Sequence, residues 1–164
     1  MAIIEMLLGE FDAEGANTRK TLERFPEAKA EWKPHTKSFS MTGLAGHVAS
    51  LPSFAKAVAS TEKMDMKAGD YTPFYPKTAS EALTRYEKEA KEAREALAKL
   101  SDADLGKTWT FAWEGTTMFE MPRAKALRSF YFNHIVHHRA QLIVYYRLND
   151  MAVPGLYGPS ADES

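Results

Sequence analysis

At 164 residues, of which 45% are hydrophobic, the chain is long enough to bury one sizeable core, and we expect a single domain over residues 1–164. A net charge of −1, without a concentrated run of basic residues, argues against a nucleic-acid-binding surface. The sequence has no cysteine, which excludes disulfides, thiolate metal ligands and a cysteine nucleophile, and no apolar run approaches membrane-spanning length.

We do not expect the amino-terminal segment to be a signal peptide. Its first residues are interrupted by Glu5 and Glu10 and lack a basic flank, so they do not resemble a signal peptide. The absence of cysteine fits a reducing compartment. We therefore expect a cytoplasmic protein whose partners include neither nucleic acid nor a membrane.

The first predicted helix extends to about residue 25. Gly15 and Thr18 lie on its buried face but contribute little packing, so they either relieve crowding or line a cavity beside the histidines described below. The face itself follows alternating steps of four and three, as is typical of a helix packed on a core, through Ile4, Leu8, Phe11, Gly15, Thr18, Leu22 and Phe25.

The second predicted helix covers about residues 41–60 and contains His47. Ser40 can cap its amino terminus, and apolar positions lie next to the histidine. Gly43 and Gly46 remove side-chain bulk beside His47, so that a neighbouring segment or a ligand can approach there. Pro52 is expected to bend this helix one turn after His47.

Beyond this helix, the connection over about residues 61–77 is long enough to cross a helical bundle. A capping-box pattern from Thr78 to Glu81 then starts a third helix, which ends near residue 100 and serves as scaffold.

Alternation around Glu114 and Gly115 predicts a small hairpin or an extended loop over residues 108–121. Its tryptophans either cap the end of the bundle or form a wall that contacts a substrate; they are Trp109 and Trp113.

The fourth predicted helix, about residues 122–149, holds three of the five histidines and no acidic residue. His134 and His138 are four residues apart, which puts both rings on one helix face with roughly 6 Å between their Cβ atoms. They lie in an otherwise apolar stripe and should face the core; the stripe is Leu127, Tyr131, His134, His138, Leu142 and Tyr145. The pair is either half of a metal site or two core histidines bonded to backbone or water.

The other three histidines are not equally suited to be a third metal ligand. His47 is the better candidate, because its helix offers space around the ring. His35 follows Pro34 in a polar connection and is expected to be a solvated loop residue. His137 lies off the apolar stripe, and we expect an outer-shell or surface position for it.

Taken together, these features resemble a known family. Trp32-Lys33-Pro34, a serine-rich helix start, His47 and the run from Asn133 to Leu142 occur in the order and spacing of the DinB family of small bacterial metal-binding proteins. The resemblance covers about residues 32–158. It implies an all-α fold, a four-helix bundle with a long crossover connection and a short extended or hairpin segment before the last helix. It also implies a homodimer, no DNA binding, and a divalent metal ion held by His47, His134 and His138.

Three neutral imidazoles are suited to Zn or Ni foremost and are also compatible with Fe or Cu, whereas Mg and Ca prefer oxygen ligands. Three protein ligands leave at least one coordination position open, as in catalytic zinc sites. An open position can lower the pKa of a bound water or bind a thiol as its thiolate.

No carboxylate is available on either histidine helix, so a general base would have to come from elsewhere, such as Asp12, Glu14 or Glu114. This favours chemistry in which the metal activates the nucleophile. Because DinB relatives include thiol-S-transferases, the resemblance favours an enzyme that transfers a low-molecular-weight thiol to a small electrophile. The alternatives are a hydrolase that uses metal-bound hydroxide and a non-catalytic metal-binding stress protein.

Overall fold

The computed structural model describes residues 2–163, which form a helical body with a small sheet at one side. A 3-10 turn occupies Glu27–Lys29. The strands are β1 (Lys63–Met66), β2 (Thr108–Trp113) and β3 (Thr116–Pro122). The α-helices are α1 (Ile3–Leu22), α2 (Met41–Ser50), α3 (Pro52–Ser60), α4 (Ala79–Leu97), α5 (Asp102–Gly106), α6 (Arg123–Leu127) and α7 (Asn133–Arg147).

The sheet makes the fold mixed, so the prediction of an all-α four-helix bundle is wrong. The three strands have the order β1-β2-β3; β1 pairs with β2 in parallel, and β2 pairs with β3 antiparallel. Because β1 has four residues inside a connection between helices, its alternation is too short to be recognised. Its partner β2 lies beyond α4 and α5, and no local pattern reveals a pairing over that distance.

The predicted hairpin is present as β2 and β3, joined at Glu114 and Gly115. Both residues have a positive φ, 48° and 81°, which produces the type I′ turn that suits the twist of paired strands. The backbone N–H of Gly115 donates to Asp65 Oδ1 at 3.0 Å, and this bond ties the turn to the end of β1. The turn is thus held by the strand that the sequence did not predict.

As expected, the second helix is interrupted at Pro52. The chain forms α2 up to Ser50 and α3 from Pro52, with Leu51 in helical conformation between them. Proline lacks an N–H and occupies the first position of α3, where no intrahelical donor is needed. His47 therefore lies in the last turn of α2, just before the bend.

The last helix contains an irregularity that the sequence did not predict. One turn of π-helix, Arg128–Phe132, lies between α6 and α7. A π turn inserts an extra residue and so rotates the following helix face. His134 and His138 lie half-buried at the edge of the core instead of pointing into it. The buried line beside them consists of Leu127, Tyr131, Ile135, Arg139, Leu142 and Tyr146.

Helix α4 packs against α1, α2 and α3, and α7 packs against α1 and α2. These contacts put α2 and α7, the two histidine-bearing helices, side by side. The apolar core lies between the helices and extends beneath β2, where Trp109 is fully buried. Within residues 2–163, no helix is both long and apolar enough to cross a membrane.

Candidate metal centre

Three histidines from two helices converge at the α2–α7 contact. His47 comes from α2, and His134 and His138 come from successive turns of α7. One ring nitrogen from each lies within 4.8 Å of the others, and the Nε2 atoms of His47 and His134 are 3.2 Å apart. The structure thus brings together all three residues that the sequence singled out as ligands.

The local sequence of α2 allows the segment after β1 to pack directly beside His47. The Ser40 hydroxyl accepts a hydrogen bond from the N–H of Gly43 and caps the helix. At Gly46, a Cβ atom would lie only 1.8 Å from the carbonyl oxygen of Phe74. The segment after β1 therefore crosses α2 in direct backbone contact, next to His47, and only glycine permits this approach.

Hydrogen bonds determine which nitrogen of the α7 histidines is free. Nδ1 of His138 lies 2.8 Å from Gln141 Oε1, and Nδ1 of His134 lies 3.3 Å from the carbonyl oxygen of Phe130. Both partners are pure acceptors, so each neutral ring carries its proton on Nδ1 and donates it. This leaves the Nε2 lone pairs of both rings available to a cation, and such outer partners are a regular feature of histidine metal sites.

His47 has a weaker outer partner. The hydroxyl of Tyr71, from the segment that follows β1, lies 3.5 Å from its Nδ1. Neither Gln141, Phe130 nor Tyr71 was identified from the sequence as part of the site. Two signals pointed to Gln141: it lies within the run that carries the family resemblance, and it follows His138 by three residues, which makes the two neighbours on a helix.

The environment keeps the three rings neutral near pH 7. Burial, followed by the positive charges that His138 and His134 would carry, lowers the pKa of His47 from 6.5 to about 4. Burial is also the main cause that lowers the pKa values of His134 and His138. A neutral imidazole is the form that binds a metal, so the site is prepared for one without first losing protons.

The geometry also fits a shared ion. Two nitrogens bound to one tetrahedral metal at about 2.0–2.1 Å lie about 3.4 Å apart. The observed Nε2 to Nε2 distance of 3.2 Å between His47 and His134 is close to that value. Three imidazole nitrogens, three outer partners and neutral rings form a donor set that can hold a divalent metal ion.

The remaining histidines lie outside this cluster. His35 is exposed in a loop, where its Nδ1 accepts from the N–H of Lys37 at 3.1 Å, as expected for a loop residue. His137 is also exposed, and its ring centroid is 4.7 Å from that of His138. It touches a proposed ligand without reaching the cluster.

None of the acids considered from the sequence as a general base lines the pocket that opens beside His47. Asp12 forms an exposed ion pair with Arg94. Glu14 is buried and bound to Arg139, and Glu114 lies in the hairpin turn. The Glu14–Arg139 pair was missed because its members are 125 residues apart in sequence.

A largely apolar pocket of about 250 Å³ opens beside His47. Four of its lining residues are aromatic: Phe39, Phe54, Tyr71 and Tyr75. The others are Gly43, His47, Met66 and Pro73. The tryptophan wall, one of the two alternatives for the hairpin, is absent from this lining. Trp109 is buried with its Nε1 donating to Thr61, and Trp113 is exposed on the hairpin.

Comparison with known proteins identifies the family. The model of the DinB superfamily matches residues 10–142, and the chain belongs to that superfamily. The fold is similar to a DinB-like protein from Bacillus cereus, with a TM-score of 0.73, 23% identity and coverage of 95% of this chain and 98% of that one. The fold is also similar to a DinB-like protein from Bacillus subtilis, with a TM-score of 0.70, 16% identity and coverage of 92% of this chain and 96% of that one. No curated protein matches the chain in sequence.

Proposed function

We propose that this protein is a metal-dependent transferase that joins a low-molecular-weight thiol to a small electrophile at His47, His134 and His138. The observation that carries the proposal is the convergence of three imidazole nitrogens beside an apolar pocket with no acidic lining residue among residues 2–163. Zn or Ni suits such a donor set best. A divalent ion held by His47, His134 and His138 would act as a Lewis acid and lower the pKa of a thiol at neutral pH.

The chain's own residues hold the site in a defined state. Phe130 and Gln141 accept the Nδ1 protons of His134 and His138 and so fix both the tautomer and the ring orientation. Phe39 stacks on His47 with 5.9 Å between ring centroids, and Phe54 lies 6.4 Å from the ring of His134. These aromatic rings reduce the access of water to the histidines, which favours thiol over water as the nucleophile.

The reaction balances without a redox partner. In a substitution, the thiol sulfur forms a bond to the electrophilic carbon, the bond to the leaving group breaks with its electron pair, and the thiol proton is released. No described acid lies in the pocket to act as a base, so lowering the thiol pKa is the step that the site must supply.

The direct test uses the metal-loaded full chain, an uncharged aromatic electrophile such as 1-chloro-2,4-dinitrobenzene, and glutathione, bacillithiol or mycothiol. Product formation should require both the thiol and the metal and should be lost in His47→Ala. His35→Ala, in the exposed loop, is the matched control and should retain activity. Turnover of ester substrates in thiol-free buffer would instead identify a hydrolase. Stoichiometric metal without either activity would identify a non-catalytic metal-binding protein.

A further inference from the structure

The pocket beside His47 exposes more aromatic surface than a folded chain ordinarily leaves uncovered. Phe39 is 53% exposed, Tyr71 44% and Tyr75 58%, and all three line the same pocket. Single exposed apolar residues are common, but clustered ones mark a binding surface. Aromatic faces and edges pack best against another ring. The cluster therefore suits a planar apolar group.

The pocket also selects against charge. Among residues 2–163, its lining includes no Asp, Glu, Lys or Arg, and His47 is its only titratable group apart from the two tyrosines. In the metal-free protein, an ionised group placed there would lose hydration without gaining an opposite charge from the lining, which is unfavourable. Its volume of about 250 Å³ is larger than the cavity of about 150 Å³ that holds benzene, so one or two fused rings fit.

The wall of the pocket is fixed before any ligand arrives. The segment that carries Tyr71, Pro73 and Tyr75 is attached to α2 at two points. The hydroxyl of Thr42 donates to the carbonyl oxygen of Pro76 at 2.7 Å, and Gly46 lies directly under the carbonyl of Phe74. A preformed wall lowers the entropic cost of binding, because little of the segment must be ordered by the ligand.

We infer that this pocket binds an uncharged aromatic group of one or two rings, and that the group belongs to the electrophilic substrate. The inference deepens the proposed function and rests on it for the assignment to the electrophile. Glutathione and bacillithiol carry carboxylates that no side chain of this lining compensates, so we place the body of such a thiol outside the pocket. The ring stands beside Phe39 and Tyr75, with its reactive carbon directed toward the histidines.

Gly43 sets the size of this pocket. A Cβ atom at Gly43 would lie 3.3 Å from the capping hydroxyl of Ser40, 3.4 Å from Cε1 of Tyr75 and 3.7 Å from Cδ1 of Phe39. A side chain there therefore fills the space between the two rings and also contacts the helix cap. Gly43 lies in α2 without being one of the three histidines, and a side chain suits a helix better than glycine. Because Gly43 lies one helical turn before His47, the zinc content of each variant is measured beside its indole affinity, and this separates the pocket from the metal centre.

The test measures the Kd of indole for the full chain by calorimetry, with and without bound zinc, in the absence of any thiol. Indole is uncharged and bicyclic, and indole-3-carboxylate is the same ring system with one added carboxylate group, which carries a negative charge. The variants are Gly43→Ala and Gly43→Val. Gly9→Ala is the matched control, because Gly9 lies in α1 and a Cβ there meets nothing within 4 Å.

Indole should bind the protein with and without zinc. The Gly43→Val change should raise the Kd of indole by about tenfold or more, because adding a side chain to an occupied space costs a free energy of this order. Gly43→Ala should raise the Kd less, and Gly9→Ala should leave the Kd unchanged. The carboxylate should bind the zinc-free protein at least about tenfold more weakly than indole. If Gly43→Val does not fold, the Ala variant decides the outcome.

Equal indole affinity in the wild type and the folded Gly43 variants would overturn the inference. So would absence of saturable binding, or equal affinity for indole and its carboxylate. None of these readings depends on turnover. Loss of the proposed thiol transfer would therefore leave indole binding intact, whereas failure of the pocket would leave metal binding intact.

Discussion

Arg139, the residue after His138, is buried against Glu14 of α1. The Arg139 side chain is only 1% exposed and forms an ion pair with the Glu14 carboxylate. Its other terminal nitrogen donates to the backbone oxygen of Glu14 at 3.0 Å and to the Thr18 hydroxyl at 3.1 Å. The hydroxyl of Tyr157 donates to the same carboxylate. These bonds attach α7 to α1 and to the carboxyl-terminal segment, one residue from a proposed metal ligand.

Because Glu14 neutralises a buried guanidinium, its removal should be costly. We expect Glu14→Ala to lower the free energy of unfolding by about 3–5 kcal/mol, measured by urea denaturation. Asp12→Ala removes an ion pair on the same helix whose two side chains are each 49% exposed, and it should cost less than about 1 kcal/mol. Similar losses in the two variants would contradict the structural role assigned to Arg139.

Gln141 should tune metal affinity without binding the metal. Its Oε1 accepts the Nδ1 proton of His138 at 2.8 Å, which fixes the tautomer that leaves Nε2 free. Gln141→Ala should therefore weaken zinc binding by about 10–100-fold in a competition assay with a chelating dye. Gln141→Glu keeps an acceptor oxygen at the same reach and should restore most of the affinity. If the Ala variant binds zinc as tightly as the wild type, the outer-shell role is wrong.

Acid should destabilise the metal-free protein through the histidine cluster. The folded state lowers the pKa of His47 from 6.5 to about 4, mainly by burial. The unfolded chain thus takes up protons that the folded chain does not, and the free energy of unfolding falls as the pH drops through this range. His47→Gln removes this group, so its stability should depend less on pH between these values. The free energy of unfolding is measured by urea denaturation at several pH values. If it depends on pH as steeply in the variant as in the wild type, the lowered pKa of His47 is wrong.

The sequence predicted features that are determined locally. The bend at Pro52, the hairpin turn at Glu114 and Gly115, and the close approach of a neighbouring segment beside His47 each follow from one or two residues with restricted backbone or little bulk. It did not predict β1 or its parallel pairing with β2, because those contacts join segments separated by α4 and α5. The all-α prediction failed at this long-range pairing.

The residues of the candidate site were predictable from the sequence, but their exact placement was not. The histidines could be chosen from their spacing and from the family resemblance, whereas the π turn that rotates them to the edge of the core had no recognisable pattern. The sequence also did not predict which aromatic residues line the pocket beside His47. They include Tyr71 and Tyr75, from the segment after β1, and not the hairpin tryptophans. The homodimer, the thiol and the cytoplasmic location stay predictions. Each concerns a partner or an environment that the structure of a single chain does not contain.

The central claim, that His47, His134 and His138 share one divalent ion, is tested most directly by metal content. The protein should be purified without metal-affinity resin, incubated with zinc, desalted and measured by elemental mass spectrometry. The account predicts about one ion per chain in the wild type and in His35→Ala, a sharp loss in each of the three single Ala variants, and a smaller loss in His137→Ala. Near-stoichiometric metal in His47→Ala would contradict the three-histidine site.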